Sequence, residues 1–227
     1  MRVVELPATA LADPAWVTED LDRARRLHGR AAPAVLGTIR WYSASSVLVA
    51  PALEPWVHTG VARDPALDAV TFDVTADGRF LDAHSTRALG ADPAALGAAL
   101  VRALDSAVTA FARASGASPR ALWAVGVDSI ANRLLWAAST TGDANTAPRL
   151  ARELSDHMES AARELPGCVW NGSPRPRFAT MGDRLVLRRS SCCLIYEAPA
   201  TRDSKCASCP RQTPAEREHR LRLLLGP

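Results

Sequence analysis

The sequence of 227 residues lacks any apolar run that approaches the ~20 residues a membrane-spanning helix needs. Its first residues, Met1 to Pro7, place an acid and a proline where a secretory signal peptide has its apolar run. We therefore expect a chain with no transmembrane segment that resides in the cytoplasm. Because thiols stay reduced in that compartment, a disulfide framework is not expected.

Signals for several common functions are also missing. No Gly-x-Gly-x-x-Gly pattern follows a predicted strand, so nothing indicates a bound flavin or nicotinamide. No nucleic-acid reader motif and no interleaving of basic with aromatic residues occurs, so we expect no nucleic-acid partner. Charge is unevenly spread: from residue 163 onward twelve Lys or Arg face six Asp or Glu, whereas the remainder carries 15 basic and 18 acidic residues. A basic end on a slightly acidic body indicates an anionic partner or an anionic cofactor at that end.

Helix signals dominate what the sequence does contain. Proline-led starts predict helices from Asp13-Pro14 to Gly29, from Asp92-Pro93 to about residue 114, and from Ser118-Pro119 to about residue 136. A further amphipathic helix is predicted from Pro148 to about Leu165. Thr213-Pro214-Ala215-Glu216 forms a capping box that begins a helix reaching Leu225. The pattern from 34 to 60 fits helix or strand, and we favour helices.

Two hairpins complete the predicted fold. Alternating segments at 69–75 and 79–83 flank Asp77-Gly78, which is a tight-turn pair, and a smaller hairpin spans 178–188. A connector rich in proline and glycine covers 171–177. We therefore predict an α+β fold, a mainly helical body (1–167) with a small antiparallel β-unit, followed by a short cysteine-rich C-terminal segment (168–227).

A few polar and aromatic residues inside this body could serve structure or function. Asp128 and Arg133 interrupt the helix after Ser118, and an ion pair between them is the default prediction, with a pocket-lining role as the alternative. Trp41, Tyr42 and Trp56 are expected to pack in the core, although such rings also wall ligand pockets.

The cysteines are concentrated at the C-terminal end. Cys168 stands alone and is expected to behave as a small buried apolar residue. The others form an adjacent pair, Cys192-Cys193, and a Cys-x-x-Cys pair, Cys206 and Cys209. These four thiols can share a metal centre if the backbone kinks, because adjacent side chains on a straight strand point to opposite faces.

Zinc and an iron–sulfur cluster are the two centres that four thiolates suit, and a disulfide is the least expected outcome. Structural zinc sites use ligand pairs separated by two to four residues, whereas iron–sulfur clusters accept more varied spacings. Basic residues surround the cysteines: Arg188, Arg189, Arg202, Lys205 and Arg211. Cations stabilise an anionic 2Fe-2S cluster, so spacing and charge both favour iron–sulfur over zinc.

The string from Arg188 to Tyr196, followed by Cys206-x-x-Cys209-Pro210, resembles the C-terminal signature of the FhuF-like ferric siderophore reductases. The resemblance implies that Cys192, Cys193, Cys206 and Cys209 ligate a 2Fe-2S cluster and form the redox centre. The family usually has ten residues between the cysteine pairs. This chain has twelve, and the extra two are expected to lengthen the loop from Glu197 to Thr201.

The resemblance also implies an activity. The expected enzyme is an iron–sulfur oxidoreductase that passes one electron to Fe(III) in a siderophore, expected to be of the hydroxamate type, and so releases Fe(II). The electron would come from an external donor, a ferredoxin or a flavin- or NAD(P)H-dependent reductase. Arg188 and Arg189 are the candidates for substrate contact, although electrostatic tuning of the cluster is the favoured role. The alternatives are a zinc-stabilised binding or regulatory protein and a simple 2Fe-2S electron-transfer protein.

Overall fold

The computed structural model describes residues 2–170, 175–202 and 205–225, and these form mainly helices with small antiparallel sheets, as the predicted α+β class requires. The helices are α1 (Pro14–His28), α2 (Pro33–Leu48), α3 (Ala50–Thr59), α4 (Pro93–Ser115), α5 (Pro119–Thr140), α6 (Thr146–Glu164) and α7 (Pro214–Leu225). The strands are β1 (Val3–Pro7), β2 (Ala62–Arg63), β3 (Val70–Thr75), β4 (Phe80–Ser85), β5 (Ala88–Gly90), β6 (Arg177–Met181) and β7 (Arg184–Arg188).

Local capping explains where the helices begin and end. The carboxylate of Asp13 accepts a hydrogen bond of 2.8 Å from the backbone N–H of Ala15, and Asp92 caps α4 in the same way. Gly29 ends α1 with a φ of 83°, a conformation that favours glycine. The predicted helix starts are confirmed, except that α6 begins two residues earlier than expected, and the ambiguous 34–60 region is helical, as α2 and α3.

The predicted hairpin at 69–83 is confirmed and gains a third strand. β3 and β4 pair antiparallel around Gly78, and β1 pairs antiparallel with the other edge of β3, giving the order β1-β3-β4. Val3–Pro7 was not expected to form a strand. Its partner lies about seventy residues away, beyond the range of any local turn signal.

The centre of the core is built from α4 and α5, as predicted. Trp41, Phe111 and Trp123 are among the largest fully buried side chains there, and Trp56 is buried as well. Among the described residues, α4 alone is long and apolar enough to cross a membrane by length and composition, with 61% of its apolar window buried inside the fold. That burial makes α4 a core helix, which agrees with a soluble protein.

A buried ion pair fixes the hairpin to the helices. Arg40 of α2 donates to both carboxylate oxygens of Asp20 in α1, at 2.7 and 3.0 Å. The same guanidinium donates to the carbonyl of Gly78 in the hairpin turn, at 2.6 Å, and lies over the Phe80 ring. The ion pair therefore connects α1, α2 and the β3–β4 hairpin.

The C-terminal segment packs on the helical body. β6 and β7 form the smaller predicted hairpin, and β7 contacts α5. Trp170 lies against Trp123 with ring centroids 4.8 Å apart. The capping box at α7 is confirmed: the N–H of Thr213 donates to the Glu216 carboxylate at 2.9 Å, and the N–H of Glu216 donates to Thr213 Oγ1 at 3.2 Å. The connector predicted at 171–177 lies mostly outside the described residues, and the division at residue 167 stays a prediction.

Candidate functional site

The fold brings the four C-terminal cysteines together. Cys192 Sγ and Cys209 Sγ are 3.6 Å apart. Cys192 and Cys206 both lower the pKa of the Cys193 thiol, so both are neighbours of Cys193. The four sulfurs therefore follow one another in a connected cluster, and all are free thiols rather than disulfides. Cys193 and Cys209 are buried, whereas Cys192 and Cys206 are partly exposed.

The adjacent pair shares one site because the chain bends immediately after it. Leu194 has a φ of 60°, a left-handed conformation uncommon in residues other than glycine. Its N–H donates to Cys192 Sγ at 3.4 Å. The chain then enters two short 3₁₀ turns, Ile195–Glu197 and Pro199–Thr201. The kink that the sequence required at this pair is present, and the longer loop expected at Glu197 to Thr201 is folded into the turns.

Gln212 organises the second cysteine pair. The N–H of Cys209 donates to the Cys206 carbonyl at 3.0 Å, which closes a turn around the Cys-x-x-Cys segment. The buried side chain of Gln212 donates to the same carbonyl at 2.8 Å. Arg220 of α7 donates to the carbonyl of Lys205 at 2.8 Å. The capped C-terminal helix therefore supports the loop that carries Cys206 and Cys209.

Asp128 of α5 holds the first cysteine pair from the body side. Its carboxylate accepts hydrogen bonds from the N–H of Ser190 at 3.0 Å, the N–H of Ser191 at 2.8 Å and the Ser191 hydroxyl at 2.7 Å. Burial raises the pKa of Asp128, whereas these hydrogen bonds and Arg189 oppose that rise. A carboxylate with this many donors fixes the backbone directly before Cys192.

The predicted ion pair between Asp128 and Arg133 is wrong. Arg133 instead donates to Glu54 at 2.8 Å and to the carbonyl of Ser46 at 2.9 Å. Five positions along a helix place two side chains on different faces, so Arg133 reaches toward α3 while Asp128 reaches toward the cysteines. The sequence feature that could have indicated a distant partner for Asp128 is its position within a nearly apolar helix.

Arg189 is a buried cation inside the cysteine cluster. Its Nη1 donates to Cys206 Sγ at 3.6 Å, and its Nε lies 3.9 Å from a carboxylate oxygen of Asp128. The guanidinium carbon is 4.7 Å from the centre of the Tyr42 ring. Burial lowers the pKa of Arg189, but Tyr42, Cys193, Cys206 and Asp128 raise it further, so the side chain stays charged.

The neighbouring thiols shift one another's pKa values in opposite directions. Hydrogen bonds from Cys192 and then Cys206 lower the pKa of the Cys193 thiol. The same interactions raise the pKa of Cys192 and Cys206, for both of which the bond to Cys193 is the largest cause. Of these three thiols, Cys193 is the one whose pKa is lowered.

These residues fit a thiolate-bound metal centre. Two thiolates on one tetrahedral ion with metal–sulfur bonds of about 2.3 Å lie about 3.8 Å apart, close to the separation of Cys192 and Cys209. Arg189 Nε and Nη2 are buried and have no hydrogen-bond acceptor among the described residues. Buried donors without partners destabilise a fold unless an anion lies beside them, and a four-thiolate cluster is such an anion.

The four sulfurs lie together as neighbouring pairs. Among the described residues, no three His, Cys, Asp or Glu side chains meet the geometry for holding one metal ion. A 2Fe-2S cluster needs only two thiolates on each iron, so two pairs of cysteines would suffice to hold it.

No family model, curated protein or solved structure matches this chain.

The remaining predicted site residues take different positions. Arg188 is exposed and lines a groove between β6 and α7, on the opposite side of β7 from Arg189. Lys205 lies over the Tyr196 ring at 5.4 Å. Arg202 and Arg211 are exposed. Successive side chains of an extended chain point to opposite faces. Arg188 and Arg189 therefore lie in different surroundings, although the sequence predicted the same candidate role for both.

Cys168 lies apart from the cluster. It packs partly buried against the core, as expected, but its thiol also donates to Asp105 at 3.2 Å. Burial, followed by that carboxylate, raises the pKa of Cys168 to about 11. The thiol is therefore protonated at neutral pH and has little nucleophilic character.

Tyr42 and Asp128 are the site residues that sequence reasoning assigned elsewhere. Tyr42 was expected in the core, yet its ring is 37% exposed and carries Arg189 on its face. Its place at position 42, next to the fully buried Trp41, gives no local sign of which ring faces the cysteines.

Proposed function

We propose that this protein is a ferric siderophore reductase that binds a 2Fe-2S cluster on Cys192, Cys193, Cys206 and Cys209. The observation that carries the proposal is that Cys192 lies beside Cys209 while Cys206 lies beside the buried, incompletely hydrogen-bonded guanidinium of Arg189. The resemblance of the C-terminal motif to the FhuF-like reductases supplies the choice of substrate. Bound there, the cluster supplies one-electron reduction, which converts tightly chelated Fe(III) into weakly held Fe(II).

The protein's own residues have separate tasks in this proposal. Asp128 holds the backbone before Cys192, and Gln212 holds the turn between Cys206 and Cys209. Arg189 offsets the negative charge of the thiolates and stabilises the more negative, reduced state. Because the body provides Asp128 and Tyr42, the cysteine segment depends on the helices for its geometry.

Exposure of Cys192 and Cys206 supports electron exchange with molecules outside the protein. Both side chains are partly exposed, while Cys193 and Cys209 are buried. An external cytoplasmic donor, a ferredoxin or a flavin- or NAD(P)H-dependent reductase, would supply one electron for each Fe(III) reduced. Because Cys192 and Cys206 are partly exposed, the donor and the ferric chelate could both approach a cluster held there from solvent.

Single-turnover kinetics test the proposed activity. The anaerobically reduced protein, freed of excess reductant, is mixed with a ferric hydroxamate chelate and a ferrous-specific chromophore. We expect one Fe(II) to appear for each cluster oxidised. Cys206→Ser should abolish this reaction, whereas Cys168→Ser, the matched control, should retain it because Cys168 lies apart from the cluster.

Two results would contradict the proposal. A cluster that is reduced and reoxidised normally but releases no Fe(II) would leave only an electron-transfer protein. Stoichiometric zinc without acid-labile sulfide in anaerobically purified protein would favour a zinc-stabilised binding protein.

A further inference from the structure

A cavity of about 490 Å³ opens beside Cys192. It lies between the first turn of α5 and the segment that follows Cys209, and its wall includes Arg120, Ser190, Cys192 and Arg211. A volume of several hundred Å³ is typical of small-molecule sites. A small molecule bound in this cavity would therefore lie beside Cys192, one of the proposed cluster ligands.

The described lining of this cavity is basic. Arg120 and Arg211 are both exposed, and the lining residues include no aspartate or glutamate. Ser190 Oγ is buried and has no hydrogen-bond partner among the described residues, although Ser190 lines the cavity. Two cations and an unpaired hydroxyl suit a ligand with anionic oxygen atoms, and guanidinium groups bind carboxylates through paired hydrogen bonds.

We infer that this cavity binds the ferric chelate and that the preferred chelate carries net negative charge from carboxylate groups additional to its iron-binding groups. The inference rests on the proposed function. Four thiolates make the cluster anionic, so an anionic chelate would be repelled unless cations lie nearby. Arg120 and Arg211 provide those cations, whereas a positively charged chelate would meet two like charges.

A second cavity of about 450 Å³ is a poorer candidate. It lies between the β6–β7 turn and α7, and its lining includes Met181, His219 and Leu223 but no cysteine. A chelate bound there would not have a cluster ligand in the wall beside it. Of these two cavities, the one at Cys192 is therefore better placed for electron transfer.

A charge series of one siderophore tests the inference. Ferrioxamine B carries a free amine and is cationic, its N-acetyl derivative is neutral, and its N-succinyl derivative is anionic, while the iron-binding hydroxamates are the same in all three. We expect the KM for the anionic chelate to be at least about tenfold below that for the cationic chelate at low salt, because charged hydrogen bonds of ordinary strength give this ratio. Added salt should reduce the difference.

Arginine variants locate the charge preference. In Arg120→Gln/Arg211→Gln the three KM values should converge. Arg217→Gln removes a half-buried arginine of α7 that lines a different groove, so it should retain the wild-type order. Equal KM values across the series in the wild-type protein, or a preference for the cationic chelate, would overturn the inference and leave the reductase proposal standing.

Binding of the redox-inactive Ga(III) complexes separates the two claims. Calorimetry with these three complexes reports chelate binding without electron transfer. If no Fe(III) chelate is reduced but the anionic Ga(III) complex binds at least tenfold more tightly than the cationic one, the proposed function fails and the anion-selective cavity stands. If none of the Ga(III) complexes binds, the inference is overturned.

Discussion

At the scale of single residues, Asp128 is the contact between the helical body and the cysteine loop. In Asp128→Ala, the N–H groups of Ser190 and Ser191 lose their acceptor, and each unsatisfied buried donor costs roughly 1–3 kcal/mol. We expect the free energy of unfolding to fall by about 2–6 kcal/mol in urea titrations. Iron bound per chain should fall as well, because the backbone before Cys192 is no longer fixed.

Arg133→Met is the matched control for Asp128. It removes the hydrogen bonds to Glu54 and Ser46 but should leave iron content unchanged. Since the two side chains have different partners, their effects on stability should add in the double variant. Full iron content and wild-type stability in Asp128→Ala would show that the loop is held in another way.

Arg189 is expected to set the reduction potential of the cluster. Arg189→Met removes a buried positive charge that donates to Cys206, so the reduced state loses stabilisation. A charged hydrogen bond contributes roughly 1.5–3 kcal/mol, which corresponds to a potential lower by roughly 60–130 mV for one electron. Spectroelectrochemical titration measures this shift.

Arg189→Lys keeps the charge and should shift the potential much less than Arg189→Met. Both variants should be compared at equal iron content, so that loss of the cluster is not mistaken for a change in its potential. Identical midpoints in Arg189→Met and wild-type protein would refute the electrostatic role.

At the scale of elements, helix packing leaves no room for a side chain at Gly97 but does leave room for one at Gly126. A Cβ on Gly97 in α4 would lie 2.8 Å from His157 Cβ and 3.1 Å from the backbone nitrogen of Met158 in α6. Gly97→Ala should therefore destabilise the fold by about 1–3 kcal/mol through overpacking.

Gly126→Ala in α5 is the matched control for Gly97. Its added Cβ would meet Trp41 and Leu104 at 3.6–3.8 Å, which is ordinary contact. We expect no loss of stability and a gain of up to about 1 kcal/mol from better helix propensity. Thermal unfolding distinguishes the two variants, and equal melting temperatures for both would contradict the packing described for α4 and α6.

Elements with local signals were predictable from the sequence, and those that depend on distant partners were not. Asp13-Pro14 and Thr213-Pro214 mark helix starts through contacts within a few residues, and Asp77-Gly78 marks a hairpin in the same way. β1 is formed only by pairing with β3, so its sequence alone gave no sign of a strand.

The candidate site likewise combines features that the sequence predicts with contacts that depend on distant residues. The four cysteines are recognisable from their spacing, and the kink they need appears at Leu194. Asp128 is 62 residues away from Ser190, and no periodicity connects them. Tyr42 reaches the site from α2 because of how the helices pack, a result of tertiary structure that local patterns do not contain.

At the scale of the whole molecule, the helical body and the cysteine segment both contribute residues to the candidate site. Asp128 and Tyr42 come from the body, and Arg189 and the four cysteines come from the segment. The basic charge of the C-terminal part is used in two places, with Arg189 buried among the sulfurs and Arg211 at the adjacent cavity. The segment on its own would lack the carboxylate that fixes its first cysteine pair.

Metal and sulfide analysis of the anaerobically purified, full-length protein tests the central claim most directly. We expect two iron atoms and two acid-labile sulfides per chain, together with a visible absorption band that bleaches on reduction. Changing Cys192 or Cys209 to serine should remove most of this iron, whereas Cys168→Ser should not. A protein that stays colourless after reconstitution with iron and sulfide, with its four C-terminal thiols unmodified, would contradict the account.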